Sequence, residues 1–282
     1  MNTPRVAAIH DLSGFGRCSL SIIMPTLSAM GTQCCPLPTA YLSTHTGGFT
    51  ANTFLDLTDQ MAPVTAHWKN EGVTFDAIYT GFMSSREQMA LAADFIRTFK
   101  TDRTCVAIDP VMGDHGKAYR TYTSEMCAAM GDLSALADVL TPNRTEAALL
   151  LGVPYESLTL DTEENCRKWV QELSMNSARS VVLTGVSLAP DTVGAVCYDR
   201  TTNETTFVQA PRVTEQFHGT GDLFASVLTG ALCRQMSLHD AAQLAADFVS
   251  RVAARTAAQD YPRREGIDFE PLLWQLGQSV FN

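Results

Sequence analysis

No apolar run in the chain approaches the roughly 20 residues that a membrane-spanning helix needs, which removes an integral membrane role from expectation. Basic residues are also scarce: 20 lysines and arginines face 30 aspartates and glutamates, for a formal net charge of −10. That balance speaks against nucleic acid or an anionic membrane as a partner, and an anionic ligand would have to find local donors. The eight cysteines show neither C-x-x-C nor Cys/His ligand spacing and lie mostly in apolar segments, so they read as reduced thiols rather than a disulfide frame or a zinc site. No Pro/Gly/Ser-rich linker and no internal repeat interrupts the chain, and a single domain over residues 1–282 is expected. Residues 1–5 lead into a strand pattern without the apolar core of a signal peptide, which makes the cytoplasm the expected location.

Two familiar phosphate-binding loops are missing as well. The turn Gly14-Phe15-Gly16-Arg17-Cys18-Ser19 carries serine where a dinucleotide fingerprint has its third glycine. The strand after it is expected to end near Pro36 without the acidic residue that would hold a ribose. No G-x-x-x-x-G-K-[ST] occurs anywhere. Hydride transfer and P-loop chemistry thus lose their main support.

What is present is an alternation of short apolar runs with helical patterns. Residues 6–10, 77–80, 105–109, 139–141 and 181–184 read as buried strands, and 19–30, 85–99, 144–151 and 163–173 carry helical periodicity. This predicts a mostly parallel sheet covered by helices on both faces. Residues 193–198 and 205–209 predict an antiparallel hairpin at one edge, followed by helices over 221–234 and 238–258. In such sheets ligands gather outside the carboxyl ends of the strands, where the polar motifs of this chain fall.

Four of those motifs carry chemistry. Gly219-Thr220-Gly221-Asp222 precedes an apolar helical run and offers close backbone amides, a helix start and a carboxylate; Asp222 by itself would be read as a helix cap. Asp109-Pro110-Val111-Met112-Gly113-Asp114 sets two carboxylates across a turn, suited either to turn formation or to a magnesium and phosphate neighbourhood. In Thr141-Pro142-Asn143-Arg144-Thr145-Glu146, Asn143 and Glu146 have capping-box spacing, which a metal role does not contradict. The hydroxyl-rich segment from Leu42 to Phe49, with Thr44, His45 and Thr46, is either a surface turn or a wall of neutral donors for a flat polar heterocycle. The stretch 115–123, with Gly116, Lys117 and Tyr119, is polar and basic in an acidic chain and is expected to be a loop outside the core, available as a cover.

In order and spacing these motifs resemble the vitamin kinases of the ribokinase superfamily, above all the pyridoxal/pyridoxamine kinases, over nearly the whole chain. Residues 109–114 match D-P-V-x-G-D, residues 141–146 match T-P-N-x-x-E, and residues 219–222 match G-T-G-D. The resemblance implies a three-layer α/β/α sandwich and ATP-dependent phosphorylation of a B6 vitamer, with Mg²⁺ and a monovalent cation such as K⁺ as cofactors and a homodimer as assembly. It implies Asp222 as base, with the Gly219, Thr220 and Gly221 amides as anion hole. Asp114 and Glu146 would belong to the magnesium shell, and Thr141 would lie near phosphates or the monovalent cation. Asp109, Asn143, Thr184 and Tyr119 would complete the nucleotide side. On the acceptor side Thr46, with Thr44 and His45, would meet the pyridine ring, and either Asp11 or Ser13 takes the place of a family serine. Phe82 stands where the family has a tyrosine. Hydroxymethylpyrimidine kinase is the nearest alternative, from which Gly113-Asp114 leads away, and a non-catalytic sensor of pyridoxal phosphate or nucleotide is a more distant one. An aspartate of ordinary pKa near 3.9 is a weak base for an alcohol, so Asp222 would orient the hydroxyl and take its proton late.

Overall fold

A computed structural model describes residues 3–175 and 179–281, so Met1 and Asn2 of the expected leaderless start, and the far end of the expected 1–282 domain, lie outside the described residues. The chain begins β1 (Arg5–Ser13), α1 (Leu20–Ala29), β2 (Gln33–Leu42), β3 (Phe54–Asp56), α2 (Thr58–Asn70), β4 (Ala77–Thr80), α3 (Arg86–Phe99) and β5 (Cys105–Ile108). A small hairpin of β6 (Gly113–Asp114) and β7 (Lys117–Ala118) comes next, then α4 (Ser124–Ser134), β8 (Val139–Leu140), α5 (Arg144–Leu151) and α6 (Glu163–Met175). The last part runs β9 (Ser180–Val186), β10 (Thr192–Asp199), β11 (Glu204–Pro211), α7 (Thr220–Cys233), α8 (Leu238–Ala257) and α9 (Leu273–Phe281).

One sheet orders its strands β11-β10-β9-β8-β5-β4-β1-β2-β3. The pairs from β9 through β2 are parallel, as their alternation with helices dictates, while β9–β10, β10–β11 and β2–β3 are antiparallel. Both edges are therefore antiparallel, where the sequence pattern indicated one. The second strand does not stop near Pro36 but runs to Leu42. Pro36 and Pro38 are tolerated because β3 pairs only with Ala40, Tyr41 and Leu42, leaving the outer side of β2 unpaired along its first half. The first strand is likewise longer than residues 6–10 and carries Asp11 and Ser13 on its last turnless stretch, past a register shift between His10 and Leu12.

The strands are buried on both faces, and alternation sorts their side chains. Val6, Ala8, Ala77, Tyr79 and Ala107 pack with Leu20, Ile23 and Leu27 of α1 and Ala225 of α7. Ala7, Ile9, Ile78, Val106 and Ile108 face the opposite way, toward α3 and α4. Helix α3 shows why the pattern was readable: Ser85 caps it by accepting the Gln88 N–H, and Met89, Ala92, Ala93, Ile96 and Phe99 form one buried stripe. Phe95 anchors that layer, fully buried, with its ring 4.5 Å from Phe99 and 5.7 Å from Phe75. Phe95→Ala should lower the unfolding free energy by about 3–5 kcal/mol, read from the urea midpoint, because the emptied volume lies between rings that cannot all relax into it.

Candidate active site

The carboxyl ends of β1, β5, β8 and β9 and the N-terminus of α7 surround one crevice, and hydrogen bonds show how each contributes. Gly219 caps α7 with φ of 84°, and a β-carbon there would collide with the Arg17 carbonyl and Ile22. Gly221, two residues on, has open space where its side chain would be. The first amides of α7 have no partner inside the helix and have the positive end of its dipole behind them.

Asp222 does not cap its helix: no side chain caps α7. Its Oδ2 instead accepts the Ser19 N–H at 2.9 Å, across 203 residues of sequence, and Oδ1 has no hydrogen-bond partner among the described residues. Ser19 holds this bridge in a left-handed conformation, φ 53°, and its hydroxyl donates to Asp11 Oδ1 at 2.6 Å. One serine thereby fixes two carboxylates. It stands at the position where a dinucleotide loop would have glycine, and only the positive φ, invisible in the pattern, marks its use.

Burial raises the Asp222 pKa to about 6, tempered by the Ser19 N–H and increased by the Asp11 charge. The carboxylate is thus more basic than an ordinary aspartate while remaining a weak base for an alcohol, in keeping with late proton uptake. Asp109, buried at the end of β5, is pushed up by burial and then by the charge of Asp222. Glu146 is also pushed up, by burial and by the charge of Asp109, against the backbone N–H groups of Asn143 and Met112 that bond its two oxygens at 2.8 and 3.2 Å. With Asn143 it forms the expected capping box of α5. Asp114 is more exposed and receives the N–H of His115.

The stretch after Asp114 is a hairpin rather than a plain loop. His115 and Gly116 both have positive φ, 50° and 77°, the geometry of a tight turn between β6 and β7. The Gly116 N–H donates to Thr145 Oγ1 and Asn143 Nδ2 donates to the Gly113 carbonyl, both at 2.9 Å, so the start of α5 anchors the hairpin. Tyr119 remains 43% exposed beside it. Partial burial and then the charges of Glu146, Asp114, Asp109 and Asp222 raise its phenol, so all four carboxylates act on one place. Not all of 115–123 lies outside the core: Tyr122 is buried and donates its hydroxyl to the Met83 carbonyl, because its ring covers the apolar layer of α3 and α4. Thr141 is buried at the end of β8, and Thr184 on β9 donates its N–H and hydroxyl to the Pro142 carbonyl at 2.9 and 3.3 Å, which lines both threonines along the same rim.

The other side of the crevice is built by residues 42–49. His45 is buried; its Nε2 lies 2.7 Å from the Arg264 carbonyl and its Nδ1 accepts the Gly47 N–H at 3.1 Å. Thr44 Oγ1 is buried without a partner, Ser13 is buried with its hydroxyl turned to Asp11, and Thr46 is exposed. Phe82 is half-buried, its ring 6.2 Å from that of Tyr122. His218, passed over in the sequence, stands 4.9 Å from the His45 ring. Nothing in its spacing distinguishes it, since its neighbour comes from a loop 173 residues earlier.

A buried carboxylate at a helix start, free helix-start amides and a buried acidic rim on a mostly parallel sheet covered on both faces are the arrangement of the ribokinase-like phosphotransferases. The Phosphomethylpyrimidine kinase family profile matches residues 24–262, and the chain belongs to that family. A Bacteroides thetaiotaomicron VPI-5482 protein provisionally named phosphomethylpyrimidine kinase, solved in an orthorhombic form with pyridoxal, is 40% identical, with a TM-score of 0.92 over 98% of this chain and 96% of that one. Pyridoxal kinase from Lactobacillus plantarum is 30% identical, with a TM-score of 0.89 over 98% and 97%. Among curated relatives, pyridoxine kinase of Bacillus subtilis is 30% identical over 68% of this chain and 66% of its own length. The curated relatives first in similarity are matched over half to two thirds of their length.

The sign of the Asp222 shift fixes a pH dependence. Its folded pKa of about 6 exceeds the ordinary 3.8, so the folded state binds more protons between those values and stability falls as pH rises through that window. Asp222→Asn, whose Oδ1 can still accept the Ser19 N–H, should match the wild-type melting temperature at pH 4. At pH 8 it should exceed it by an amount equivalent to roughly 1–2 kcal/mol.

Proposed function

We propose that the chain transfers the γ-phosphoryl group of ATP to the 5′-hydroxymethyl group of pyridoxal, pyridoxine or pyridoxamine. The observation that carries this is Asp222: a carboxylate with a raised pKa, one oxygen tied to Ser19 and the other open, set directly behind the amides of Gly219, Thr220 and Gly221. The acceptor hydroxyl donates to the open oxygen. As its oxygen bonds to phosphorus and the bond to ADP breaks, the proton passes to Asp222, while the helix-start amides hold the charge on the phosphoryl oxygens. Names and the bound pyridoxal of relatives at 30–40% identity support a B6 vitamer as acceptor.

The acidic rim fits Mg²⁺. Among the described residues no three acidic, His or Cys side chains form a ready metal cage, but Mg²⁺ is commonly held by one or two carboxylates with phosphates and waters. Asp114 and Glu146 would hold it, and bound there it would neutralise charge on the triphosphate and relieve the repulsion that raises Glu146 and Asp109. Asp109, Asn143, Thr141 and Thr184 would line the triphosphate, with K⁺ or a similar ion near Thr141, and the β6–β7 hairpin with Lys117 and Tyr119 would cover the nucleotide. Asp11 or Ser13, Thr44, Thr46 and Phe82 would surround the vitamer ring; His45, with both ring nitrogens engaged, would shape that wall. A cytoplasmic homodimer completes the reading; Phe54 and Leu55 of the edge strand β3 are exposed, as a pairing surface would require.

Measured by ADP release, the protein should turn over at least one of the three vitamers with a kcat/KM at least tenfold above that for hydroxymethylpyrimidine. The reverse order would place it with the pyrimidine kinases. Asp222→Asn should lower kcat by about 100-fold or more while vitamer binding stays within a few fold. Near-normal turnover would reduce Asp222 to a structural bridge to Ser19.

Asp114→Ala and Glu146→Ala should each raise the magnesium concentration for half-maximal rate. If neither does, their roles end with the hairpin and the capping box.

A further inference from the structure

Two histidine rings face each other at the acceptor wall, and only one has nitrogens to spare. His45 Nδ1 accepts the Gly47 N–H, which places its proton on Nε2, donated to the Arg264 carbonyl. His218 is exposed, and among the described residues neither of its ring nitrogens meets a partner. Its backbone is nonetheless held, because its carbonyl accepts the Ile267 N–H at 3.1 Å. Its ring lies so close on Gly47 that a β-carbon there would collide with the imidazole, and it tilts 51° to the His45 ring. Partial burial lowers its pKa, so it presents a neutral imidazole with one donor and one acceptor.

His218 also stands immediately before Gly219 and four residues before Asp222, between the helix start and the acceptor loop. We propose that His218 determines acceptor specificity by hydrogen-bonding the ring substituent beside the reacting hydroxymethyl group; this rests on the acceptor assignment above. In the B6 vitamers that neighbouring position carries the group by which they differ: an aldehyde, a hydroxymethyl or an aminomethyl. A neutral imidazole can donate to the first, exchange either way with the second and accept from the third. A ring that merely fills space between loop and helix would be indifferent to that substituent.

The two roles separate in kinetics with pyridoxine and with 4-deoxypyridoxine, which has a methyl group at the neighbouring position and keeps the reacting hydroxymethyl. His218→Phe preserves the ring contact and removes the polar atoms. It should raise KM for pyridoxine about tenfold, as expected for loss of one hydrogen bond, with kcat changed less than threefold and KM for 4-deoxypyridoxine less than twofold. His218→Gln, which retains a donor and an acceptor, should stay within threefold of wild type on pyridoxine. Calorimetric titration of each variant with pyridoxine, without nucleotide, should show the same order. Equal losses on both acceptors, no loss on either, or a Gln variant as impaired as the Phe variant would each overturn the proposal. Wild-type protein that phosphorylates none of pyridoxal, pyridoxine, pyridoxamine and 4-deoxypyridoxine would overturn the acceptor assignment itself, and the proposal with it.

Discussion

Four carboxylates share one crevice, and their mutual repulsion is the constraint to which the rest of the site answers. Asp109, Glu146 and Asp222 are driven up in pKa by burial and by charged neighbours, and Asp114 adds its charge from the rim. Leaving such groups without partners would cost several kcal/mol each, so the fold supplies backbone donors. Ser19 N–H serves Asp222, while the N–H groups of Asn143 and Met112 serve Glu146. These donors come from the ends of parallel strands and the starts of helices, places where main-chain groups have no regular partner. The same topology that gathers the charges therefore provides what holds them.

The raised carboxyls also mean that the buried cluster retains protons toward neutral pH, and a cation placed among them would displace those protons. The open oxygen of Asp222 is oriented by the bond its other oxygen makes.

Much of this was legible in the sequence because the informative motifs are local. The capping box of Asn143 and Glu146, the stripe of α3 and the parallel core strands follow from short-range spacing. What escaped depends on distant contacts. Pro36 and Pro38 look like a strand end until the missing neighbour on that side of β2 is seen. Helix α2 buries only Met61 among its described apolar residues and contains Pro63, so its periodicity is faint. Ser19 reads as a failed glycine, though its positive φ and its two carboxylate partners make it a junction. Tyr122 sits in a polar stretch yet belongs to the core.

The wall built by residues 42–49 also reaches the far end of the chain. His45 is bonded to the Arg264 carbonyl, the Arg264 guanidinium lies 5.4 Å over the Phe49 ring, and Arg17 pairs with Asp268 and Glu270. Residues 42–49 are thus tied to Arg264, and the Arg17 turn to Asp268 and Glu270, although more than 200 residues separate them. A chimaera that takes the acceptor loop from a relative while keeping this C-terminal segment would place the donor's side chains on a foreign support. With residues 42–49 facing the acceptor as proposed, selectivity would transfer between members of the family only when both segments move together.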